Sequence, residues 1–225
     1  MHKALVITAH PDTNSFNFAL TRQAHKTLTQ HEWQVTASDL HQMDFDARMG
    51  PHDYPTLPAD FKGTLAQKQL HALEHQLFCP QIAIEQQKLR QADLVILQFP
   101  IWWGSFPAIL KGWIERVCAY GFAYGPAKQL TGKQLMLSVT TGGAANEAEC
   151  QYYLDKITTM ANEVFGYMNM EIAAPHFVHG PTSLNAASRA HSLENYGEHL
   201  GRVVQRMTLT QKKDVRGNRG QVQTP

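Results

Sequence analysis

The chain alternates short apolar runs with longer segments in which apolar residues recur at helical spacing. The first run, Lys3–Ala9, is largely apolar, which is typical of a strand buried on both faces of a sheet. Further strands are predicted at Gln34–Asp39, Asp93–Phe99, Gln134–Thr140 and Glu171–Phe177. Helical spacing marks Ser15–Gln30, Thr64–Leu77, Ile82–Gln91, Pro107–Ala119, Glu147–Phe165 and Asn185–Met207. This alternation predicts an α/β protein with a parallel sheet and helices on both of its faces.

The length of 225 residues fits one α/β domain of ordinary size. That domain is predicted to span residues 1–207. The polar residues 208–225 contain Gly, Lys and Arg without a period, which indicates a tail or an arm that contacts a partner. The stretch His41–Lys62 is rich in Pro, Asp and His and is predicted to be an ordered surface loop.

Composition excludes several classes of function. A net charge of +1 provides no global field for nucleic acid. The three cysteines are an odd number without CxxC spacing, which argues against a disulfide framework and favours a reducing cytoplasm. No apolar run is long enough for a signal peptide or a membrane span. The twelve histidines are scattered without the spacing of metal ligands, so no metal site is predicted.

An aromatic turn follows the strand Asp93–Phe99. The chain breaks at Pro100 and presents Ile101, Trp102, Trp103 and Gly104 before the next helix. In an open parallel sheet, ligands bind at the carboxyl ends of the strands, and a flat aromatic turn there suits a flat ligand. The alternative interpretation is that the two tryptophans only cover the end of the sheet.

The loop after the first strand reads HPDTNSFN and runs from His10 to Asn17. Thr13 and Ser15 supply hydroxyl groups at the start of a helix, with Phe16 and Asn17 in its first turn. Free backbone N–H groups and the helix dipole make such a position an anion site. Plain N-capping by Thr13 or Ser15 explains the same residues, and neither a Walker A loop nor a GxGxxG motif occurs here.

A third loop, Thr140-Thr141-Gly142-Gly143, follows the fourth predicted strand. Two glycines let the backbone approach a ligand closely and turn N–H groups toward it, although an ordinary tight turn has the same composition. The three loops converge at one edge of the predicted sheet. A phosphate site, an aromatic bed and an amide-lined rim together indicate a flavin site of the flavodoxin kind.

The chain resembles the NAD(P)H:quinone oxidoreductase family, the flavodoxin-like two-electron quinone reductases. The resemblance covers Lys3–Arg206 and is carried by the pattern QFPxxWxxxPAILKGWxERV at Gln98–Val117. Further shared motifs are SFN at Ser15–Asn17, FAY at Phe122–Tyr124 and SVTTGG at Ser138–Gly143. The resemblance implies a flavodoxin-like, three-layer, doubly wound sheet of five parallel strands in the order 2-1-3-4-5.

The resemblance also implies a cofactor and partners. FAD is expected, with FMN as the alternative, and NAD(P)H is the expected electron donor. The His10 loop would hold the phosphates, Pro100–Gly104 would lie along the flavin ring, and Thr140–Gly143 would contact its pyrimidine edge. Within the aromatic turn, Trp103 rather than Trp102 matches the family tryptophan. Arg189 resembles an arginine near the adenine end of FAD.

The family is usually homodimeric, and a second subunit completes each active site. Tyr124 matches a position that lines the substrate pocket from the partner chain. A homodimer is therefore expected for this protein as well.

Two departures from the family change the expected chemistry. Mammalian members carry a tyrosine and a histidine beyond the glycine pair, and Ala148 and Leu154 occupy those positions here. Neither side chain donates a hydrogen bond. Stabilisation of charge on the reduced flavin is therefore expected from the backbone N–H groups of Gly142 and Gly143, with help from Asn146.

The sequence thus predicts a flavin-dependent enzyme that reduces quinones, or related small acceptors, by two electrons from NAD(P)H. The alternative is a flavin-binding regulatory subunit of a potassium efflux transporter, whose flavin site would look the same. A one-electron carrier of the flavodoxin type is less favoured, since such carriers are strongly acidic and this chain has 19 acidic and 20 basic residues.

Overall fold

The computed structural model describes the backbone of residues 1–143 and 146–219, and side chains in this part of the chain up to residue 209. Within it the strands are β1 (Lys3–Thr8), β2 (Gln34–Asp39), β3 (Leu94–Pro100), β4 (Gln134–Thr141), β5 (Glu171–Ile172) and β6 (His176–His179). The helices are α1 (Phe16–Gln30), α2 (Leu65–Glu74), α3 (Pro80–Gln91), α4 (Ala108–Val117), α5 (Glu147–Ala161) and α6 (Ala186–Arg219). A 3-10 turn at Pro51–Asp53 and a π-helical turn at Asn162–Gly166 complete the described elements.

The strands form one parallel sheet in the order β2-β1-β3-β4-β5, and β6 also pairs with β4. This order confirms the predicted 2-1-3-4-5 arrangement and the α/β class. The carboxyl ends of β1, β3, β4 and β6 lie along one edge of the sheet. The three loops singled out in the sequence leave the sheet at this edge.

The predicted fifth strand, Glu171–Phe177, is wrong as one continuous element. It is divided into β5 and β6, and both pieces pair with β4. Pro175 lies between them, and a proline offers no backbone N–H to a neighbouring strand. The second piece extends to His179, so the chain reaches the carboxyl edge of the sheet two residues later than predicted.

The last helix is longer than predicted. The apolar stripe in the sequence fades after Met207, yet α6 continues to Arg219, in a segment whose Lys, Gln and Arg residues favour a helix. Residues 208–219 are therefore helical in the structure, and residues 220–225 lie outside the described residues. The role of this segment as an arm on a partner stays a prediction.

Two apolar layers enclose the sheet. Alternate residues of β1, β3 and β4, such as Val6 and Ile96, face α1 and α6, where they pack with Leu20 and Leu200. The other residues of the same strands face α3, α4 and α5, in a core that includes the fully buried Trp113. Burial on both faces explains why these strands read as continuous apolar runs.

A buried ion pair fastens the long 41–62 loop to α4. The Arg116 guanidinium donates from Nε to Asp53 Oδ1 at 2.8 Å, and its Nη2 lies 2.7 Å from the same oxygen. It also donates to the Asp46 carbonyl and to Gln81 Oε1. Arg116 and Asp53 are both almost completely buried. These charge-assisted hydrogen bonds, together with the 3-10 turn at Pro51–Asp53, help to order the loop.

Candidate functional site

A cavity of about 770 Å³ opens at the carboxyl edge of the sheet, between the first turns of α1 and α6. Its walls come from all three predicted loops and from α6. The predicted site residues that line it are His10, Ser15, Phe16, Asn17, Pro100, Trp102, Thr140, Thr141, Gly142 and Arg189. The convergence of these loops was expected from the topology of a parallel sheet, because the turns after its strands share one edge.

The first loop builds a helix N-terminus that opens into the cavity. Asp12 ties the loop down, since its Oδ1 accepts from the Asn14 N–H at 2.8 Å and its carbonyl accepts from the Ser15 N–H at 3.1 Å. Ser15 caps α1 by accepting from the Phe18 N–H at 3.4 Å. Among the described residues, no acceptor is found for the N–H groups of Phe16 and Asn17. These two groups and the helix dipole can hold a phosphate.

The aromatic turn separates its two tryptophans. Trp102 and Ser105 exchange backbone hydrogen bonds at 3.2 and 3.0 Å, and Trp103 and Gly104 between them have positive φ angles of 51° and 68°. The Trp102 ring lines the cavity with its centroid 5.8 Å from that of His10. Trp103 is fully exposed and is not among the residues that line the cavity. The geometry therefore gives Trp102 the place at the cavity that the sequence pattern gave to Trp103.

The third turn brings two threonines and a glycine to the rim. Thr140 accepts from the Ile101 N–H through its carbonyl at 2.8 Å, which joins the second and third loops. Thr141 Oγ1 lies 3.3 Å from His179 Nδ1, and burial lowers the pKa of His179 although the charge of Glu149 works against this effect.

Gly142 and Gly143 provide space at this rim rather than an unusual backbone conformation. Neither has a positive φ angle, and a Cβ on either residue would meet no atom within 4 Å. No contact within the described chain therefore requires a glycine at either position, and of the two only Gly142 belongs to the cavity wall.

The fourth wall was not predicted apart from Arg189. It is formed by the turn between β6 and α6 and by the first turns of α6. The unpredicted residues of this wall are Pro181, Thr182, Ala186, Ala190 and Leu193. Three more unpredicted lining residues, Asp12, Asn14 and Ala19, belong to the first loop and to α1. The Gly180-Pro181 pair directly after a strand was the available signal, because it marks a turn at the same edge of the sheet.

The remaining predicted site residues lie outside this cavity. Ile101 is buried behind the aromatic turn, while the exposed Thr13 lies in the first loop. Asn146 caps α5, since its Oδ1 accepts from the Glu149 N–H at 3.0 Å. Gly104 packs against Lys156, whose Nζ would lie 2.6 Å from a Cβ at this glycine.

Tyr124 lies in an aromatic group that the cavity does not reach. Its ring meets Tyr120 edge to face at 5.4 Å and Tyr167 at 5.8 Å between centroids. Burial, reinforced by Tyr167 and Tyr120, raises the pKa of Tyr124, so its hydroxyl stays protonated at neutral pH. In this chain alone, Tyr124 therefore does not contribute to the walls of the cavity.

The residues present fit a flat ligand that carries phosphate. The unpaired N–H groups at α1 and the positive charge of Arg189 suit phosphate, and Trp102 offers an aromatic face. The hydroxyl and N–H groups of the Thr140–Gly142 turn suit the polar edge of a ring. Among the described residues, no cluster of three or more His, Cys, Asp or Glu side chains could hold a metal ion.

Known proteins that resemble this chain include flavodoxin-like proteins and quinone reductases. The family model described as a flavodoxin-like fold matches residues 2–200. NAD(P)H dehydrogenase [quinone] 1 of Rattus norvegicus is 32% identical over 90% of this chain and 78% of its own length. A solved structure from Klebsiella pneumoniae, assigned as a quinone reductase, is 31% identical with a TM-score of 0.80 and covers 89% of this chain and 84% of its own.

Two further proteins extend the comparison. The ribosyldihydronicotinamide dehydrogenase-like protein traD of Penicillium crustosum is 39% identical over 63% of this chain, but the match spans only 58% of that protein. General stress protein 14 of Treponema denticola, solved in complex with FMN, is 21% identical with a TM-score of 0.59 over 88% of this chain and 95% of its own, which shows the shared fold.

The fold defines a flavodoxin-like protein, and the cavity is a candidate ligand site at the carboxyl edge of its sheet. More particularly, the chain belongs to the NAD(P)H:quinone oxidoreductase family, and it is an oxidoreductase. These relatives do not support the alternative of a regulatory subunit for a potassium efflux transporter. No helix among the described residues is long and apolar enough to cross a membrane.

Proposed function

We propose that this protein reduces quinones, or related small acceptors, by two electrons from NAD(P)H with a flavin held in the cavity. The observation that carries the proposal is the meeting of three features in one space. Unpaired N–H groups at α1, the Trp102 ring and the Thr140–Gly142 turn all line the same cavity. Each suits a different part of a flavin, and the family relationship supports the same assignment.

The residues of the chain bind and orient rather than exchange protons. The N–H groups of Phe16 and Asn17 hold phosphate, and the Trp102 ring supports one face of a flat group. The Thr140 hydroxyl and the N–H of Gly142, both on the cavity wall, would stabilise negative charge at one edge of a ring, with the N–H of the adjoining Gly143 as a further donor. When bound, a flavin supplies a ring that accepts a hydride from NAD(P)H and passes it to a quinone.

We propose FAD as the flavin, with FMN as the alternative. Arg189, which lines the α6 wall of the cavity, supports FAD, because the resemblance matches it to a family arginine near the adenine end. The Treponema denticola protein of the same fold binds FMN, which supports the alternative. Release of the cofactor by heat, followed by mass measurement, decides between them. A preparation that takes up neither flavin would reject the proposed function.

We also propose that the active protein is a homodimer in the cytoplasm. Trp103, Tyr152 and Tyr167 are large apolar residues exposed on one chain, which supports an interface. Tyr124 lies beside the exposed Tyr167, and the family resemblance matches Tyr124 to a position that lines the substrate pocket of the partner chain. The three cysteines are free of disulfides, which supports a reducing compartment.

Trp102→Ala should weaken flavin binding by about 1–3 kcal/mol, the scale of one aromatic stack. Trp103→Ala is the matched control, because it removes the same side chain from the neighbouring position outside the cavity. Fluorescence titration of the flavin-free variants measures both effects. A larger loss of flavin affinity in Trp103→Ala would show that the family pattern, rather than this cavity, identifies the stacking residue.

A further inference from the structure

A row of polar residues crosses the sheet just beneath the cavity. Thr8, Gln98, Ser138 and His176 are register partners on neighbouring strands. Gln98 and Ser138 are completely buried, and neither lines the cavity. The next level toward the carboxyl edge carries Thr140, which does line it. Burial of a polar group costs folding free energy unless the group is hydrogen-bonded, so the hydrogen bonds of these residues indicate why they are polar.

A chain of two buried hydrogen bonds joins this row to the cavity wall. Gln98 Nε2 donates to Asn17 Oδ1 at 2.8 Å, and Asn17 Nδ2 donates to Thr140 Oγ1 at 2.9 Å. All three side chains are at least 95% buried. The chain therefore runs from the interior of the sheet, through the first turn of α1, to a hydroxyl at the edge of the candidate site.

The direction of this chain fixes the role of the Thr140 hydroxyl. An amide nitrogen only donates, so Thr140 Oγ1 accepts from Asn17 and keeps its own proton for another partner. Among the described residues, no other hydrogen bond involves this oxygen. Because Thr140 lines the cavity, a ligand there is the partner that can receive the proton.

Gln98 Oε1, Ser138 Oγ and Tyr196 Oη are all buried without a hydrogen-bond partner. Burial raises the pKa of Tyr196, although the nearby Ser138 hydroxyl partly offsets the rise, so the phenol keeps its proton. The orientation of the Gln98 amide is given by its hydrogen bond to Asn17, in which Nε2 is the donor.

We propose that Gln98 is a positioning residue that acts through Asn17 to turn the Thr140 hydroxyl proton toward the cavity. The inference rests on the proposed flavin function. A hydroxyl that donates stabilises a ring that gains negative charge on reduction, more than it stabilises the oxidised ring. Gln98 thus raises the midpoint potential of the bound flavin without contacting it.

The test is a double-variant cycle on the flavin-loaded protein, with the midpoint potential as the readout. Gln98→Met and Thr140→Val should each weaken the binding of reduced flavin, relative to that of oxidised flavin, by about three- to tenfold, the scale of one hydrogen bond. For a two-electron couple this lowers the potential by about 15–30 mV. The double variant should show no more than the larger single shift.

Gln86→Met is the matched control, because Gln86 is equally buried and its Nε2 donates to the Val117 carbonyl at 3.1 Å, away from the cavity. It should leave the potential unchanged. A lowered midpoint potential in Gln86→Met would show that removing any buried glutamine has the same effect. Additive shifts in the Gln98/Thr140 double variant would show that Gln98 does not act through Thr140. Either result would overturn the proposal.

Gln98→Glu provides a second test that does not depend on the methionine variant folding. An ionised carboxylate only accepts hydrogen bonds, so the Asn17 amide must turn over and donate its Nδ2 to the new carboxylate. Asn17 Oδ1 then faces Thr140, whose hydroxyl must donate to it and no longer offers its proton to the cavity. The difference in potential from wild type should grow as the pH rises and close as the carboxyl group protonates. A difference that is independent of pH would contradict the proposed direction. Wild-type protein that takes up no flavin would instead reject the proposed function itself.

Discussion

Arg116→Ala is expected to destabilise the folded protein by about 3–5 kcal/mol, the usual consequence of leaving one member of a buried ion pair alone. The substitution leaves the Asp53 carboxylate, which is 1% exposed, without its arginine partner. The Asp46 carbonyl and Gln81 Oε1 lose the same hydrogen-bond donor. The 41–62 loop loses its attachment to α4 as a result. Urea denaturation of wild type and variant, followed by far-UV circular dichroism, measures the difference.

The matched control for this variant lies on the same helix. Lys111 pairs with Glu115 on the exposed face of α4, and Lys111→Ala should change the free energy of unfolding by no more than about 0.5 kcal/mol. Equal losses in the two variants would mean that the buried pair contributes no more than a surface pair. The 41–62 loop would then need another explanation for its order.

Gly142→Val is expected to weaken flavin binding by about 1–3 kcal/mol, roughly 5- to 150-fold, while the protein stays folded. Gly142 has no positive φ angle, and a Cβ there meets no atom of the chain within 4 Å, so the backbone can carry a side chain at this position. That side chain projects from the wall of the cavity and competes with the ligand for space. Flavin titration and a thermal melt separate these two effects.

Gly143→Val serves as the comparison for this prediction. Its Cβ also meets no atom within 4 Å, but Gly143 does not line the cavity. The valine at 143 should therefore affect flavin binding less than the valine at 142. A Gly142→Val protein with wild-type flavin affinity would show that the ligand does not approach this turn.

The sequence predicted the parts of the fold that depend on local pattern. Continuous apolar runs identify β1 and β3 because both faces of the sheet are covered. The break between β5 and β6 was missed, since an apolar stretch that contains Pro175 still reads as one run. The extension of α6 was missed because helix propensity, rather than an apolar stripe, carries it to Arg219.

The candidate site was predictable to the extent that topology brings loops together. Three loops that follow parallel strands had to meet at one edge, and they do. The α6 wall at Pro181 and Thr182 depends on where the last strand ends, which the pattern placed two residues early. The order of the tryptophans depends on the backbone of the turn, where Trp103 adopts a positive φ angle that no spacing rule indicates.

Interactions between distant side chains were beyond the reach of any pattern. Arg116 and Asp53 are 63 residues apart, and Gln98 and Asn17 are 81 residues apart. Each residue is unremarkable in its own segment. Only the folded chain shows that one pair holds a loop and that the other pair begins a hydrogen-bond chain to the cavity.

An anaerobic titration of the purified protein tests the central claim most directly. Addition of NADH or NADPH should bleach the absorption of a bound flavin after one equivalent per chain, and one equivalent of a simple quinone should restore it. The quinone should be recovered as the hydroquinone, as two-electron transfer requires. A flavin that NAD(P)H does not bleach, or that needs two equivalents of quinone for reoxidation, would contradict this account of the protein.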